Sequence, residues 1–331
     1  MSITRVTVVV TQRERFAFSE LSLNALYETA DVPFELIYVD GRSPPPVKAM
    51  LEQQAAERGF KLIRKEEYLP PNMARNLALP HIQTEYVLFL DNDVVFERNW
   101  LSSLILCADE TGADLVTPLV CIGDPDKPEK MLVHFAGGTI TIDERANSRR
   151  MTNAHTLGNK PYEELRGTLV RQRSDSVEFH AAFARMQLFE KIGHLDEDLR
   201  ATSEHLDISL LVAKHGGQVW FEPRAVITYI VGKPLDHDEL PFFCLRWSDP
   251  WAVHSEVSFF RKWNFDWDPG LLKGFIRNHR AHGFAPLLRF LEPKIGWRLS
   301  QAVYRTIYNH YARRGLRHAP AATKWHIAAP R

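Results

Sequence analysis

Short blocks of apolar residues alternate with polar turns along the first 120 positions of the chain. Continuous β-branched and aromatic runs predict buried strands at 5–11, 34–40, 60–65, 85–91 and 113–120. Helical spacing of apolar residues predicts helices at 18–30, 46–58, 72–79 and 98–111. Strands that alternate with helices are typical of an α/β protein with a mostly parallel sheet covered by helices on both faces.

The pattern becomes less regular after residue 121. A further helix is expected to begin after Ser203, as its N-cap, and to stop at Gly216. The other predicted elements are two short strands within 132–143, a mobile polar loop over 143–161, a strand followed by a helix over 176–193, and a strand over 218–223. This part therefore continues the α/β pattern with a long polar interruption.

The last 60 residues predict helices, one of which is amphipathic. Its apolar stripe is Ile295, Leu299, Val303 and Ile307, with Tyr304, Tyr308 and Tyr311 beside it and Arg and Lys on the other faces. Such a helix either packs on the rest of the protein or lies on an anionic membrane surface. We divide the chain into a domain over 1–240 and a basic, mainly helical C-terminal extension over 241–331.

Composition is that of an ordinary globular protein, with 45% hydrophobic and 25% charged residues among 331. Acidic and basic residues balance at 41 each, which does not indicate a nucleic-acid partner. The balance hides an asymmetry, because residues 269–331 contain twelve Lys and Arg and a single acid, Glu292. This segment, at about +11, predicts an anionic partner.

Cysteine usage and apolar run length bear on the location of the protein. Cys107, Cys121 and Cys244 are few and far apart, which argues against a disulfide framework or a zinc site and favours a reducing cytoplasm. The N-terminal residues have the pattern of a first strand rather than of a signal peptide. Because no apolar run reaches the roughly 18 residues of a membrane span, we expect a cytoplasmic protein that contacts the inner face of the membrane, if at all, through its basic helices.

Acidic residues stand where two predicted strands end. Asp40 ends the strand 34–40, and Asp91 ends the strand 85–91 with Asp93 two residues later. Carboxyl ends of parallel strands meet at one edge of a sheet, where ligands bind. Two close carboxylates repel each other unless a cation lies between them, and Mg²⁺ commonly binds one or two carboxylates together with phosphate oxygens. The pattern predicts a metal–diphosphate site, and the alternative is a turn that caps the helix near Asn99.

Five segments, in their order along the chain, resemble the family 2 glycosyltransferases, which have the GT-A fold. These segments are "VTVVVTQRER", "YVDGRS", "NMARNLAL", "YVLFLDNDVVF" and "SEHLDISLLVAKHGGQVWFEP". The likeness covers about residues 3–230. It implies nucleotide-sugar contacts from Thr11 and Arg13 in the first turn, Asp40 at the nucleobase, Arg75 and Asn76 near the sugar, and Asp91 and Asn92 in the Asp-x-Asp motif. It also implies that Asp91 and Asp93 bind Mn²⁺ or Mg²⁺.

Two positions depart from the pattern of that family. The acceptor-side helix of relatives usually begins Glu-Asp, with the Asp as catalytic base, whereas this chain has Glu204-His205 and then Asp207. All three are therefore candidate catalytic residues, and Glu178 and His180 are candidates for lining the acceptor pocket. Relatives also place a metal-binding His after the strand that corresponds to 218–223. That position is Tyr229 here, and His237 is the candidate substitute.

The resemblance implies metal-assisted transfer of a sugar from a nucleoside diphosphate sugar, foremost a UDP-sugar, with inversion at the anomeric carbon. The acceptor would be a hydroxyl group on a saccharide, a lipid-linked saccharide or another glycoconjugate. One alternative is a weak or inactive sugar-nucleotide-binding protein, because the Glu-Asp pair is incomplete. The other is a nucleotidyltransferase, which the absence of a Gly-rich loop from "VVVTQRER" disfavours.

Overall fold

A computed structural model describes residues 4–146, 148–231, 234–266 and 269–323. Its strands are β1 Val6–Thr11, β2 Glu35–Gly41, β3 Lys61–Lys65, β4 Tyr86–Asp91, β5 Val94–Phe96, β6 Leu115–Gly123, β7 Leu132–Phe135, β8 Gly138–Arg145, β9 Ser148–His155, β10 Gln172–Ser174, β11 Ala181–Arg185 and β12 Val219–Ile230. Its helices are α1 Ser19–Thr29, α2 Pro45–Arg58, α3 Pro71–Ala78, α4 Trp100–Thr111, α5 Tyr162–Leu165, α6 Gln187–Ile192, α7 Glu204–Lys214, α8 Leu240–Arg246, α9 Asp249–Trp263, α10 Pro269–Ile295 and α11 Trp297–Leu316.

The main sheet has the strand order β10-β12-β6-β11-β4-β1-β2-β3, with β5 added beside β12 and β7 beside β6. Strands β4, β1, β2 and β3 are parallel, as are β6 and β12. Strand β11 runs antiparallel between β4 and β6. The expected α/β architecture is confirmed. Because Thr11 pairs with both Val39 and Asp91, the strands β4, β1 and β2 end at the same edge.

Alternate residues of the strands face two separate helical layers. Val8 of β1 belongs to the core formed with α1, α2 and α4, and Val9 belongs to the core formed with α3, α6 and α7. Both faces of the strand are thus buried, because successive side chains of a strand point to opposite sides. This explains why the central strands are continuously apolar, and why each of them holds its final polar residue at the sheet edge.

The polar segment 143–161 was predicted to be a mobile loop, and that prediction is wrong for much of it: β8 and β9 form a hairpin, on which Ile140 and Met151 pack against a cluster that includes Phe265. Ser203 is the N-cap residue of α7, as predicted, but its hydroxyl makes no capping hydrogen bond with the helix. Ser203 has a φ of 69°, and its hydroxyl donates instead to Glu256 Oε2 at 3.0 Å.

The C-terminal helices pack against the α/β part through one of their faces. Phe242 of α8 is buried with Phe16 and Tyr68 of the α/β part, and Tyr304 of α11 is buried against α8. A second face of α11, the outer face, carries Leu299 and Ile307 and is open to solvent, with these side chains 56% and 39% exposed. Across the described residues, none of the helices has the length and apolar character required to cross a membrane. The division into domains 1–240 and 241–331 stays a prediction.

Candidate active site

Strand β4 ends in a buried acidic pair. Asp91 and Asp93 are only 1% and 2% exposed, on either side of Asn92. One oxygen of Asp91, Oδ2, accepts a hydrogen bond from Arg13 Nη1 at 3.0 Å and lies 2.9 Å from His180 Nδ1. The antiparallel pairing of β11 with β4 opposes Ala181 to Leu90, which brings the preceding His180 level with Asp91.

One oxygen of each residue of the acidic pair accepts no hydrogen bond in the described structure. Within the described part of the chain, Oδ1 of Asp91 and Oδ1 of Asp93 are buried and make no hydrogen bond. Burial, reinforced by the charge of Asp91, raises the pKa of Asp93 to about 7. Burial opposes ionisation of Asp91 too, but Arg13 and then His180 bring the pKa of Asp91 below its ordinary value. Orphaned carboxylate oxygens of this kind suit a divalent cation, and ligand atoms of Asp91, Asp93 and His180 lie within 4.8 Å of one another.

Asn92, between the two acids, has a structural task. Its Oδ1 accepts a hydrogen bond from the backbone N–H of Arg13 at 2.7 Å, and its Nδ2 donates to the carbonyl of Arg15 and to Ser19 Oγ, each at 3.0 Å. The side chain therefore holds the turn after β1 against the end of β4. That attachment places the Arg13 guanidinium beside Asp91.

Arg75 of α3 supplies a second cation at the acidic pair. It is fully buried, its Nη2 lies 3.8 Å from Asp91 Oδ1, and its guanidinium lies 3.8 Å from the centre of the Phe179 ring. Asn72 Oδ1 accepts a hydrogen bond from its Nη1. Burial lowers the pKa of Arg75 to about 10, which still leaves the group charged at neutral pH. An arginine with spare N–H groups in such a place is suited to phosphate oxygens.

Three other predicted nucleotide-sugar residues lie at or near the same edge but have different surroundings. Thr11 is fully buried opposite Asp91. Asp40 is also fully buried and accepts hydrogen bonds from Ser43 and Arg64. It stands two strands from Asp91, about 10 Å away by strand spacing. The structure thus places Asp40 on the predicted edge, engaged with its own protein partners.

The amide of Asn76 is occupied by a loop contact. Its Nδ2 donates to the carbonyl of Leu195 at 2.8 Å and to Glu197 Oε1 at 2.9 Å, while its Oδ1 accepts from the Leu195 N–H. Asn76 therefore joins α3 to the loop before α7, and its polar atoms are all used in that task.

His237 does not join the acidic pair. It is 67% exposed and contacts Asp238 and Tyr311 at a separate surface depression. The imidazole beside Asp91 and Asp93 belongs to His180 instead. Tyr229, at the position where a metal-binding His was expected, stacks on His180 with ring centres 4.2 Å apart.

The acidic pair lies next to a cavity of about 490 Å³. The α/β part contributes Arg13, His180 and Glu204 to its lining, and the extension contributes Phe243, Trp247 and His279. This volume falls within the range of small-molecule sites. The cavity is therefore enclosed jointly by the sheet edge and the C-terminal helices α8 and α10.

The three candidate bases on α7 differ in what surrounds them. Glu204 and His205 line the cavity, and Glu204 Oε2 is buried without a hydrogen-bond partner in the described structure. Asp207 does not line the cavity. Its two oxygens accept hydrogen bonds from Lys262 Nζ and Trp263 Nε1, both at 2.8 Å, which ties α7 to α9.

Sequence patterns did not reveal a group of imidazoles beside Glu178. His134 and His180 have ring centres 5.4 Å apart, and His134 and His155 have ring centres 5.5 Å apart. Burial would raise the pKa of Glu178, but the surrounding histidines, led by His205, lower it to about 2. His134 lies on β7, His155 on β9 and His205 on α7, and Glu178 and His180 lie in the segment just before β11. Only the tertiary fold brings these residues together.

Residues 7–193, more than half of the chain, match the sequence model of Glycosyl transferase family 2. The chain therefore belongs to the family 2 glycosyltransferases. A search of curated proteins finds no match.

Two solved structures with similar folds are glycosyltransferases of the GT-A class. The crystal structure of GalNAc-T7 with UDP, GalNAc and Mn²⁺ aligns with a TM-score of 0.54 at 16% identity, covering 89% of this chain and 57% of that one. The mannosyltransferase PcManGT from Pyrobaculum calidifontis, in complex with GDP-Man and Mn²⁺, aligns with a TM-score of 0.51 at 16% identity, covering 95% and 85%. This chain thus spans little more than half the length of the GalNAc-T7 chain. At this identity, the likenesses establish the GT-A fold.

Proposed function

We propose that this chain transfers a sugar from a nucleoside diphosphate sugar to an acceptor hydroxyl group with the help of a divalent cation. A UDP-sugar is the first donor to test, and the acceptor is a saccharide, a lipid-linked saccharide or another glycoconjugate. The observation that carries the proposal is the buried acidic pair: in the described structure Oδ1 of Asp91 and Oδ1 of Asp93 accept no hydrogen bond, and the guanidinium groups of Arg13 and Arg75 both lie beside Asp91.

The donor set fits Mn²⁺ or Mg²⁺. Asp91 and Asp93 would hold the cation through their free oxygens, with His180 as the nitrogen ligand in the place that His237 was expected to take. A cation bound there neutralises the charge that develops on the diphosphate leaving group. The presence of Mn²⁺ with UDP in one similar structure and with GDP-Man in another supports this assignment.

Arg13 and Arg75 would act on the same leaving group from the protein side. Both guanidinium groups stand next to Asp91 and are held by the fold before any substrate arrives. Fixed positive charges in a water-poor site stabilise a diphosphate without having to reorganise during the reaction. Thr11 is a further candidate for contact with the nucleotide sugar at this edge, because its hydroxyl oxygen has no hydrogen-bond partner in the described structure.

Glu204 is the proposed catalytic base. Glu204 lines the same cavity as His180, and its Oε2 has no hydrogen-bond partner in the described structure, so an acceptor hydroxyl could lie between Glu204 and a donor held at the acidic pair. Removal of the hydroxyl proton by a carboxylate, with attack on the side opposite the diphosphate, inverts the anomeric carbon. The engaged oxygens of Asp207 make it a positioning residue for α7.

The test uses purified protein, Mn²⁺ and a panel of nucleotide sugars, with release of nucleoside diphosphate as the readout. We expect slow metal-dependent release from one donor, acceleration by the right acceptor, and loss of both in Asp93→Asn, with His237→Ala as a matched control that keeps the activity. Tight nucleotide binding with no turnover on any donor would assign the chain to the alternative of an inactive binding protein. Pyrophosphate release from a nucleoside triphosphate would identify a nucleotidyltransferase.

We also propose that the outer face of α11 contacts anionic lipid. Leu299 and Ile307 are exposed on this face, and α10 and α11 carry a large excess of basic residues. Exposed apolar groups next to basic side chains are the pattern of helices that lie on a membrane surface. Such a contact supports a lipid-linked acceptor.

A further inference from the structure

A second group of metal-ligand residues lies beside the proposed acceptor position. Ligand atoms of His155, Glu178 and His205 lie within 4.8 Å of one another, and none of the three belongs to the acidic pair. They come from the end of β9, the segment before β11 and the first turn of α7. Three residues so far apart in sequence meet here only through the tertiary fold.

We propose that His155, Glu178 and His205 hold a second divalent cation, of the zinc class. Two imidazoles and one carboxylate are a typical ligand set of catalytic zinc sites, which keep a further position open for water or substrate. Mg²⁺, by contrast, prefers oxygen ligands. The site therefore differs in metal preference from the oxygen-rich pair of Asp91 and Asp93.

The geometry requires only small adjustments. A tetrahedral ion about 2.1 Å from each ligand atom places those atoms about 3.4 Å apart, so shifts of roughly one ångström per side chain close the site. The ring of His155 lies edge-on to the ring of His134, with ring centres 5.5 Å apart. His134 itself lies between His155 and His180, so its ring is close to both metal positions.

Electrostatics favour a cation at this position. Glu178 Oε1 accepts a hydrogen bond from the backbone N–H of Phe179 at 3.0 Å. In the described structure, the ion pairs of the chain do not include Glu178. Neutral imidazoles and an ionised carboxylate present a net charge of about −1 to the bound ion.

The open coordination position would face the acceptor. Glu178 and His205 line the same cavity as Glu204. An acceptor hydroxyl bound to the ion loses its proton more easily, because a bound divalent cation lowers the pKa of its oxygen ligand. This role rests on the proposed function, whereas binding of the metal does not.

The experiment measures metal stoichiometry on chelator-treated full-length protein with Zn²⁺ and with Co²⁺, whose visible absorption reports its ligands. We expect about two equivalents in the wild type, and about one in the double variant His155→Ala/His205→Ala, with Zn²⁺ affinity at that site lowered roughly 100-fold or more. Asp93→Asn should instead lose the other equivalent and keep the Co²⁺ spectrum. His237→Ala is the matched control and should bind both.

Two equivalents retained by His155→Ala/His205→Ala, with an unchanged Co²⁺ spectrum, would overturn the second site. So would a wild-type protein that binds a single equivalent, lost in Asp93→Asn. Circular dichroism of each variant establishes that it is folded, and the single variant His155→Ala, at the end of a surface hairpin, serves if the double variant does not fold. Because stoichiometry is read without a sugar donor, failure of this site is distinguishable from failure of the proposed transferase.

Discussion

Replacement of Asp207 and of Glu204 by their amides should have opposite effects, although both residues lie in the first turn of α7. Asp207→Asn keeps the shape of the side chain but removes the charge that pairs with Lys262 Nζ. Glu204→Gln removes the charge of a carboxylate whose Oε2 has no partner in the described structure. The first variant tests a structural contact, and the second tests the proposed base.

The stability cost of Asp207→Asn follows from its partners. Hydrogen bonds to charged groups contribute about 1.5–3 kcal/mol each. Lys262 is part-exposed and retains Asp196 at 3.0 Å, so a cost of roughly 2 kcal/mol is expected. Unfolding entropy of about 2.1 cal/mol/K per residue gives roughly 0.7 kcal/mol/K for this chain, so Tm should fall by about 3 °C.

The assay pairs thermal unfolding with release of nucleoside diphosphate, measured well below Tm. Asp207→Asn should lower Tm while turnover stays within severalfold of the wild type. Glu204→Gln should leave Tm within about 1 °C, because no contact of its Oε2 is lost, and should reduce turnover by about 10²–10⁴-fold, as is usual for loss of a general base. An Asp207→Asn variant with unchanged Tm and abolished turnover, beside an active Glu204→Gln, would refute the assignment.

Two further predictions concern pH and lipid. Burial raises the pKa of Glu256 from 4.5 to about 7 against the hydrogen bond from Ser203, so the folded state retains a proton that the unfolded state releases above 4.5. The free energy of unfolding should therefore fall by roughly 3 kcal/mol as the pH rises from 4.5 to 7. In urea unfolding at several pH values, Glu256→Gln should lack that part of the pH dependence. On vesicles with anionic lipid, Leu299→Glu/Ile307→Glu should reduce flotation at least roughly tenfold and Leu21→Glu should not. Equal flotation on neutral vesicles would contradict this.

The sheet and its acidic edge could be predicted because their signals are local. Strand β4 is apolar at every position before Asp91, since both of its faces are buried, and the polar residues can begin only where the strand leaves the core. The position of Asp40 on the same edge follows from parallel pairing, which alternating strands and helices predict.

The contacts around this edge could not be predicted because they depend on long-range pairing. His180 reaches Asp91 only because β11 enters the sheet antiparallel beside β4, and nothing in the sequence near His180 specifies that neighbour. Glu204 and Asp207 are three residues apart and share one face of α7. That spacing does not indicate that α9 brings Lys262 and Trp263 to Asp207 and leaves Glu204 to the cavity.

The first strand of the β8–β9 hairpin was foreshadowed in the sequence. Ile140 and Ile142 alternate with polar residues, which is the period of a strand with one buried face, and they lie within the predicted strands of 132–143. In the structure these residues pack towards the cluster of Phe259 and Phe265. The second strand, β9, was missed because 143–161 is mostly polar, and Met151 is the residue of β9 that packs against this cluster.

The C-terminal helices form a wall of the cavity, and that wall is fastened to the donor side. Glu14, in the turn after β1, accepts hydrogen bonds from Arg246 Nη1 and Trp247 Nε1, both at 3.0 Å. Sequence change in α8 or α10 would reshape this wall of the cavity, and shortening the protein before α8 would open the cavity to bulk water. Under the proposed function, acceptor choice could therefore diverge among relatives through the C-terminal helices while the sheet edge kept its donor chemistry.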